Sequence, residues 1–247
     1  MHRFLVPPAL IDNGQVTFPE SEWRHLQQVL RLQPGDEVIA FDGQGHRYLI
    51  TLNASGGQIS SELPSLSEPN LRVHLAQGLA KGDKMDFIIQ KAVELGVFTV
   101  IPLATEHAVV KIDPRDAKKH ERWQRISEEA CKQCGRDLVP RVSEVRSLGQ
   151  LIKEWTAGPI LFFYEEARKH THTDLKTVLA EIKAPQLTDL LLVIGPEGGF
   201  SPVEAKQAVS AGWIPCSLGP RILRTETAAI AALSIIMYEL ADLGFSI

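Results

Sequence analysis

Apolar residues run without interruption from residue 190 to residue 194. Such a run is typical of a strand that is buried on both faces of a parallel sheet. The chain then passes through the sequence GPEGG, residues 195–199, which we call the first glycine loop. Glycines let the backbone turn sharply there and approach a ligand closely. Ser201 follows as a helix N-cap, and Glu204 is placed to complete a capping box with it.

A second apolar run, residues 214–218, ends at a Gly-Pro pair. The segment that follows, residues 219–224, is the second glycine loop, and it leads into an apolar C-terminal helix. A strand, a loop and a helix start place unpaired amides at the carboxyl end of a sheet, where α/β folds bind ligands. An ordinary strand-to-helix connection is the alternative. Neither loop matches G-x-G-x-x-G or G-x-x-x-x-G-K-[ST], so the spacing leaves the ligand open.

The hydrophobic pattern changes near residue 70. Before this point, short apolar strands surround one amphipathic helix, and together they predict a small barrel. The buried face of that helix is predicted to consist of Trp23, Leu26, Val29 and Leu30. After this point strands and helices alternate, which indicates an α/β domain. One of these helices is long and polar, and is predicted to open at Asp113 and to end near Cys134.

The composition is that of an ordinary globular protein, with 44% hydrophobic and 23% charged residues among 247. The chain holds no apolar run of membrane-spanning length and no N-terminal apolar leader, so no membrane partner is expected. Three cysteines fit a reducing compartment, and we expect a cytoplasmic protein. Cys131 and Cys134 fall late in a predicted helix, which favours packing over redox chemistry. Cysteines and histidines show no ligand spacing, and no metal is expected.

The net charge of −4 gives no support to non-specific binding of nucleic acid. The acidic excess lies entirely in residues 1–70, which carry 4 Lys+Arg against 8 Asp+Glu. Any contact of this region with nucleic acid must therefore come from locally clustered basic residues, or from surfaces that both domains or two subunits build together.

Two blocks of sequence closely resemble a known class of enzymes. Residues 192–201 read LVIGPEGGFS, and residues 218–228 read LGPRILRTETA. Both resemble the SPOUT methyltransferases, and within that class the ribosomal RNA small subunit methyltransferase E family, which methylates N3 of a uridine in 16S ribosomal RNA. Similar blocks occur at residues 89–96 and 133–136 and around His25. The resemblance therefore runs in order along essentially the whole chain.

The resemblance implies two domains. Residues 1–70 would form a PUA-like RNA-binding β-barrel, and residues 71–247 a SPOUT methyltransferase domain of α/β class with a trefoil knot. It also implies a homodimer that binds S-adenosylmethionine and acts on 16S ribosomal RNA or the small ribosomal subunit. General rules of topology would not predict a knot, because threaded chains are rare.

The resemblance implies further that the two glycine loops hold the cofactor. Backbone groups would read the adenine edge there, and small residues would leave room for the ligand. The expected contacts are Ile194, Gly195, Glu197, Gly198, Gly199, Leu218, Gly219, Leu223, Thr225 and Ala228. For Glu197, an equally good interpretation is that it shapes its loop by accepting hydrogen bonds from backbone amides.

Methylation at N3 of uracil needs no metal, but the imide proton must leave and negative charge on the uracil oxygens must be stabilised. Arg224 is the candidate for this oxyanion-type stabilisation. Glu226 is the candidate that accepts the proton, directly or through water. The alternatives are that Arg224 pairs with Glu226 or neutralises local backbone, and that Glu226 is only a favourable acid in the first turn of a helix.

The candidate RNA contacts are Arg3, His25, Arg31 and Arg136. Basic residues and rings are the right types, because RNA is recognised through phosphates and splayed bases. Solvated charges and a structural histidine are the alternatives. Two other functions stay open: methylation of another base or of ribose, and a non-catalytic RNA-binding factor in ribosome assembly. The sequence leaves open the methylated nucleotide and whether the substrate is free RNA or the assembled subunit.

Overall fold

The computed structural model describes residues 1–65, 68–108, 117–165, 174–241 and 243. Contacts within the chain group it into two compact units. The first unit comprises residues 1–68 and 128–139, and the second comprises residues 69–127 and 140–247. None of the described helices is both long enough and apolar enough to span a membrane.

The first unit is built around one curled sheet. Its elements are β1 (Arg3–Leu5), β2 (Ile11–Asp12), β3 (Gln15–Val16), α1 (Glu20–Arg24), β4 (Glu37–Phe41), β5 (Arg47–Asn53) and β6 (Gly56–Leu63). In the described part of this unit the sheet has six strands in the order β1-β4-β5-β6-β3-β2. Only the β1–β4 pair among them is parallel. Apolar residues such as Phe4, Val38 and Ile50 form its core, as the predicted half-buried strands require.

The amphipathic helix of this unit departs from the prediction at one position. α1 continues into a π-helical turn, His25–Val29, in which the Leu30 amide donates to the His25 carbonyl at 3.0 Å. Leu26 is buried and Leu30 packs against the core, as predicted. Val29, however, is 66% exposed, so its predicted burial is wrong. The wider turn breaks the 3.6-residue period on which the prediction depended.

The second unit is a parallel α/β domain. Its elements are β7 (Arg72–Gly78), α2 (Lys84–Glu94), β8 (Thr99–Ala104), α3 (Ala117–Cys134), β9 (Arg141–Val142), β10 (Arg146–Ser147), α4 (Leu148–Glu154), β11 (Ile160–Phe163), α5 (Leu175–Ile182), β12 (Asp189–Ile194), α6 (Pro202–Ser210), β13 (Ile214–Cys216) and α7 (Thr225–Leu240). The end of α3, residues 128–134, is grouped with the first unit. Within the described residues, the sheet runs β10-β8-β7-β12-β11-β13, with β9 beside β8. All of its pairs are parallel.

β12 is the strand that the apolar run predicted. All six of its residues are buried, because β7 lies on one side of it, β11 on the other, and α6 and α7 pack against it. The capping box predicted after it is also confirmed. The Ser201 hydroxyl accepts from the Glu204 amide at 3.2 Å, and the Glu204 carboxylate accepts from the Ser201 amide at 2.9 Å. The first glycine loop is therefore held between a buried strand and a fixed helix start.

A buried carboxylate fixes the opposite end of β12. Asp189 accepts two hydrogen bonds from Arg72 on β7, at 2.6 and 2.9 Å, and one from the Thr188 hydroxyl at 2.9 Å. The hydrogen bonds from Arg72 lower the pKa of Asp189 to about 2, against the opposing effect of burial. Asp189 is therefore ionised at neutral pH and holds β7 in register with β12. This register also sets where the carboxyl ends of the two strands lie.

The long polar helix is α3, of which residues 117–134 are described. Asp113, where the helix was predicted to open, lies outside the described residues. Cys131 near its end is buried, and burial raises the pKa of its thiol to about 12. A thiol with so high a pKa is a poor nucleophile, which supports the packing interpretation over redox chemistry.

Candidate active site

A cavity of about 630 Å³ opens where the carboxyl ends of β11, β12 and β13 meet. The first glycine loop follows β12 and the second follows β13, and both contribute to the wall. A cavity of this size suits a small-molecule ligand or cofactor. The structure places every predicted cofactor contact in this wall: Ile194, Gly195, Glu197, Gly198, Gly199, Leu218, Gly219, Leu223, Thr225 and Ala228.

The wall also contains residues that the sequence did not single out. Residues 163–165 line it at the end of β11, and Lys84 lines it from the start of α2. The buried run of β11 was a usable signal, because parallel strands end at the same edge of a sheet. Lys84 carries no such signal, since its contacts are with residues far along the chain.

Buried hydrogen bonds join the start of α7, directly after the second glycine loop, to the first glycine loop. Thr225, the first residue of α7, is 5% exposed. Its hydroxyl donates to the Gly195 carbonyl at 2.6 Å and accepts from Nε2 of Gln77 at 2.9 Å. Gln77 lies near the end of β7 and is completely buried. The Thr225 hydroxyl is thus occupied within the protein, where it ties β7, the first glycine loop and α7 together.

We expect Thr225→Val to lower the free energy of unfolding by roughly 1–3 kcal/mol, because valine keeps the shape but leaves buried polar partners unsatisfied. Ligand affinity should fall as well, since the joint between the two loops is lost. Chemical denaturation and ligand titration would measure both effects. Thr227→Val on the exposed side of α7 is the matched control. Equal effects of the two substitutions would contradict the role of the buried hydroxyl.

Two carboxylates converge on one ammonium group beside the cavity. Lys84 Nζ lies 2.9 Å from Glu197 Oε1 and 3.4 Å from Glu226 Oε2. Glu197 also accepts a hydrogen bond from the Lys81 amide at 3.2 Å. This hydrogen bond from a backbone amide is the kind of contact that the loop-shaping interpretation of Glu197 requires.

The same contacts determine the protonation states of Lys84 and Glu197. Hydrogen bonding to Glu197 raises the pKa of Lys84 above its ordinary value. Burial acts to raise the pKa of Glu197, but the Lys84 ammonium and backbone amides outweigh it, and the pKa lies below its ordinary value. Lys84 and Glu197 are therefore both charged at neutral pH.

Arg224 occupies the N-cap position of α7 and lines the cavity with an exposed side chain. Within the part of the chain that the structure describes, it forms no ion pair. The alternative in which Arg224 pairs with Glu226 is therefore not what the structure shows, because the ion pair of Glu226 is with Lys84. Glu226 is not among the residues that line the cavity. Arg224 and Arg221 are both exposed, and both line the cavity.

His107 covers the outer side of the first glycine loop. Its Nδ1 lies 3.1 Å from the Gly198 carbonyl oxygen. A Cβ atom added to Gly198 would lie 2.9 Å from both the Cβ and the carbonyl oxygen of His107. Glycine at position 198 is therefore required by the close approach of a second chain segment. No local sequence pattern around His107 indicates this contact.

The four predicted RNA contacts fall into two groups. Arg136 is 4% exposed and pairs with Glu68 at 2.7 Å. Arg3 bonds to Asp137 at 2.7 Å and to the Arg136 carbonyl at 3.0 Å. These two guanidinium groups are held inside the first unit, which favours a structural role for them because buried charges need their partners.

His25 and Arg31 are both exposed on the same unit. His25 begins the π-helical turn, and Arg31 lies two residues after its end. Arg31 has a φ of +55°, which is uncommon for a residue with a side chain. Strained backbone and π-turns both concentrate at functional sites. The geometry leaves these two side chains available to a partner.

No group of three or more potential metal-ligating side chains is found among the residues with described positions. The cavity wall of the described residues combines backbone groups, apolar and aromatic side chains, one lysine, the carboxylates of Glu165 and Glu197, and exposed arginines. Such a wall can hold an organic cofactor and stabilise developing negative charge.

Comparison with known proteins agrees with this geometry. A family profile described as an RNA methyltransferase domain matches residues 67–237, and one described as an RNA methyltransferase PUA domain matches residues 18–60. A ribosomal RNA small subunit methyltransferase E of Bacillus subtilis is 37% identical over 225 residues, which are 88% of each chain. Its namesake from Synechocystis is 35% identical over 94% of this chain and 76% of its own.

A solved structure is similar throughout. It is a ribosomal RNA small subunit methyltransferase E from Neisseria gonorrhoeae bound to S-adenosyl methionine, with a TM-score of 0.87 and 33% identity. The match covers 98% of this chain and 99% of that one. The first unit accordingly contains an N-terminal PUA domain, and the second is a parallel α/β methyltransferase domain. The chain belongs to the ribosomal RNA small subunit methyltransferase E family.

Proposed function

We propose that this protein methylates N3 of a uridine in 16S ribosomal RNA, with S-adenosylmethionine as methyl donor. The observation that carries the proposal is the cavity at the carboxyl end of the sheet. Both glycine loops meet there, every predicted cofactor contact lines it, and so does Arg224, which forms no ion pair among the described residues. Membership of the family supports the choice of reaction and substrate.

The residues of this cavity fit S-adenosylmethionine. The wall offers backbone groups of two loops for the adenine edge, and Gly198 lies where a side chain would collide with His107. Ile194, Leu218 and Leu223 supply the apolar surface that a purine ring needs. When bound, the cofactor would supply an electrophilic methyl group, and no metal is needed for that chemistry.

Arg224 would act on the substrate. As the N3 proton leaves, negative charge spreads onto the uracil oxygens, and a fixed guanidinium beside them stabilises that charge most in the transition state. Glu226 would receive the proton through water, because its carboxylate is held by Lys84 and does not line the cavity. Loops that exclude bulk water strengthen both effects.

The PUA domain would bring the RNA to this site, and His25 and Arg31 are the side chains that we propose as its contacts. Both are exposed beside the π-helical turn, next to the exposed apolar side chain of Val29. A ring, a guanidinium and an apolar surface suit an unstacked base and its phosphate. Arg3 and Arg136 would support the domain through their ion pairs instead.

A homodimer is proposed from α7. This helix packs on α2, α5, β7 and β12, yet Ile235 is 41% exposed and Tyr238 is 62% exposed. Together with Ala231 they share one face at helical spacing. A second copy would cover that face, and sedimentation should give a dimer at micromolar concentration that Tyr238→Glu dissociates. A wild-type monomer would refute the dimer.

Three further proposals rest on membership of the family. They are the trefoil knot, the domain boundary at residue 70 and a cytoplasmic location.

The proposed function is tested with small ribosomal subunits from a strain that lacks this gene. Purified protein and S-adenosylmethionine should convert one uridine of their 16S RNA to N3-methyluridine, detected by nucleoside analysis. A methyl group on another base or on ribose would refute the assignment but keep the enzyme class. Absence of cofactor binding in calorimetry, together with no methylation of any RNA, would favour a non-catalytic assembly factor.

A further inference from the structure

Lys84 stands where three elements of the methyltransferase domain meet. It is the first residue of α2, and its ammonium group contacts Glu197 of the first glycine loop and Glu226 at the start of α7. The contacts are neither fully buried nor fully exposed, since the Lys84 side chain is 33% exposed and that of Glu226 is 17% exposed. An ion pair in this position is screened less than one on an open surface.

The two carboxylates depend on this one cation. Among the described residues, Oε2 of Glu226 is buried and makes no hydrogen bond, and Lys84 is its ion-pair partner. A buried carboxylate oxygen without compensation is costly. Because Glu197 approaches the same ammonium group, removal of Lys84 would leave two like charges facing each other across the gap between the loops.

We propose that Lys84 is a positioning residue that fastens both glycine loops to α2, so that the two loops stay closed around one ligand. Glu197 ties the first loop to Lys84, and Glu226 ties the end of the second loop to it. The identification of the ligand as S-adenosylmethionine rests on the proposed function. The fastening itself concerns only residues of this chain.

Lys91 offers a matched control on the same helix. It forms an ion pair with Glu94 at 2.7 Å, and its side chain is 35% exposed. Its partner lies within α2, so that this pair connects no other element. Loss of a similar charge at a similar exposure should therefore leave the glycine loops unchanged.

The test is amide hydrogen exchange in the protein without ligand. Lys84→Met should raise exchange roughly fivefold to tenfold in both residues 195–199 and 219–224. Glu197→Gln should raise it mainly in the first loop and Glu226→Gln mainly in the second. Lys84→Arg should restore much of the protection because it keeps the charge. Lys91→Met should change neither loop.

Ligand binding provides the second measurement. Calorimetry should show S-adenosylmethionine binding weakened roughly fivefold to tenfold by Lys84→Met, with a smaller change in the methylation rate at saturating cofactor. The inference is overturned if Lys84→Met leaves exchange in both loops unchanged, or raises it evenly over the whole domain. A protein that shows the loop-specific exchange but methylates no uridine would refute the proposed function and keep the role of Lys84.

Discussion

Gly198→Val is expected to weaken S-adenosylmethionine binding about a hundredfold or more while the domain stays folded. The new Cβ would lie 2.9 Å from two atoms of His107, one of them in the backbone, so neither segment can yield by a simple rotamer change. The first glycine loop must shift instead, and that loop is a wall of the cavity. Calorimetric titration of the cofactor beside a thermal melt would measure the separate effects on binding and on folding.

A substitution at Gly199 distinguishes the effect of a steric clash from the effect of backbone strain. Gly199 has open space around it but a φ of +66°, so valine there is strained without any clash. Gly212, with a φ of +86° and equally open surroundings, is the matched control outside the cavity. Both substitutions should lower the stability of the protein by a similar amount. Only Gly199→Val should weaken S-adenosylmethionine binding. A folded Gly198→Val protein with unchanged affinity would exclude the first glycine loop from the binding site.

The parts of the fold that the sequence predicted well are those that local interactions determine. A continuous apolar run requires burial on both faces, and residues 190–194 are indeed buried within β12. A capping box involves residues three apart, and the Ser201–Glu204 box forms as the spacing predicts. The two glycine loops then meet because parallel strands end at one edge of the sheet.

The parts that could not be predicted depend on partners distant in the chain. The burial of Arg136 is one example, because its partner Glu68 lies 68 residues away and no local pattern indicates the pair. Lys84 has no local pattern at all, because it acts on carboxylates of two later segments. Val29 was misplaced for a different reason, since periodicity assumes a regular helix and the chain forms a π-turn there.

Arg224→Ala is expected to lower the rate of methylation about a hundredfold or more, which is the effect of removing one donor from an oxyanion site. Affinity for S-adenosylmethionine should change much less, because the guanidinium acts on charge that develops only in the transition state. The structure makes this separation testable: Arg224 is exposed and lines the cavity, and its removal breaks no ion pair among the described residues. Single-turnover rates at saturating cofactor would measure the chemical step.

Two comparisons decide how the arginine acts. Arg224→Lys should restore the rate only in part, because an ammonium keeps the charge but loses the planar set of donors that can meet two uracil oxygens. Arg141→Ala is the control, since Arg141 is equally exposed, forms no ion pair among the described residues and lies in β9, away from the cavity. If Arg224 were only structural, its alanine variant would lose thermal stability and cofactor binding together. A stable Arg224→Ala protein that binds the cofactor and methylates at the normal rate would remove this residue from the mechanism.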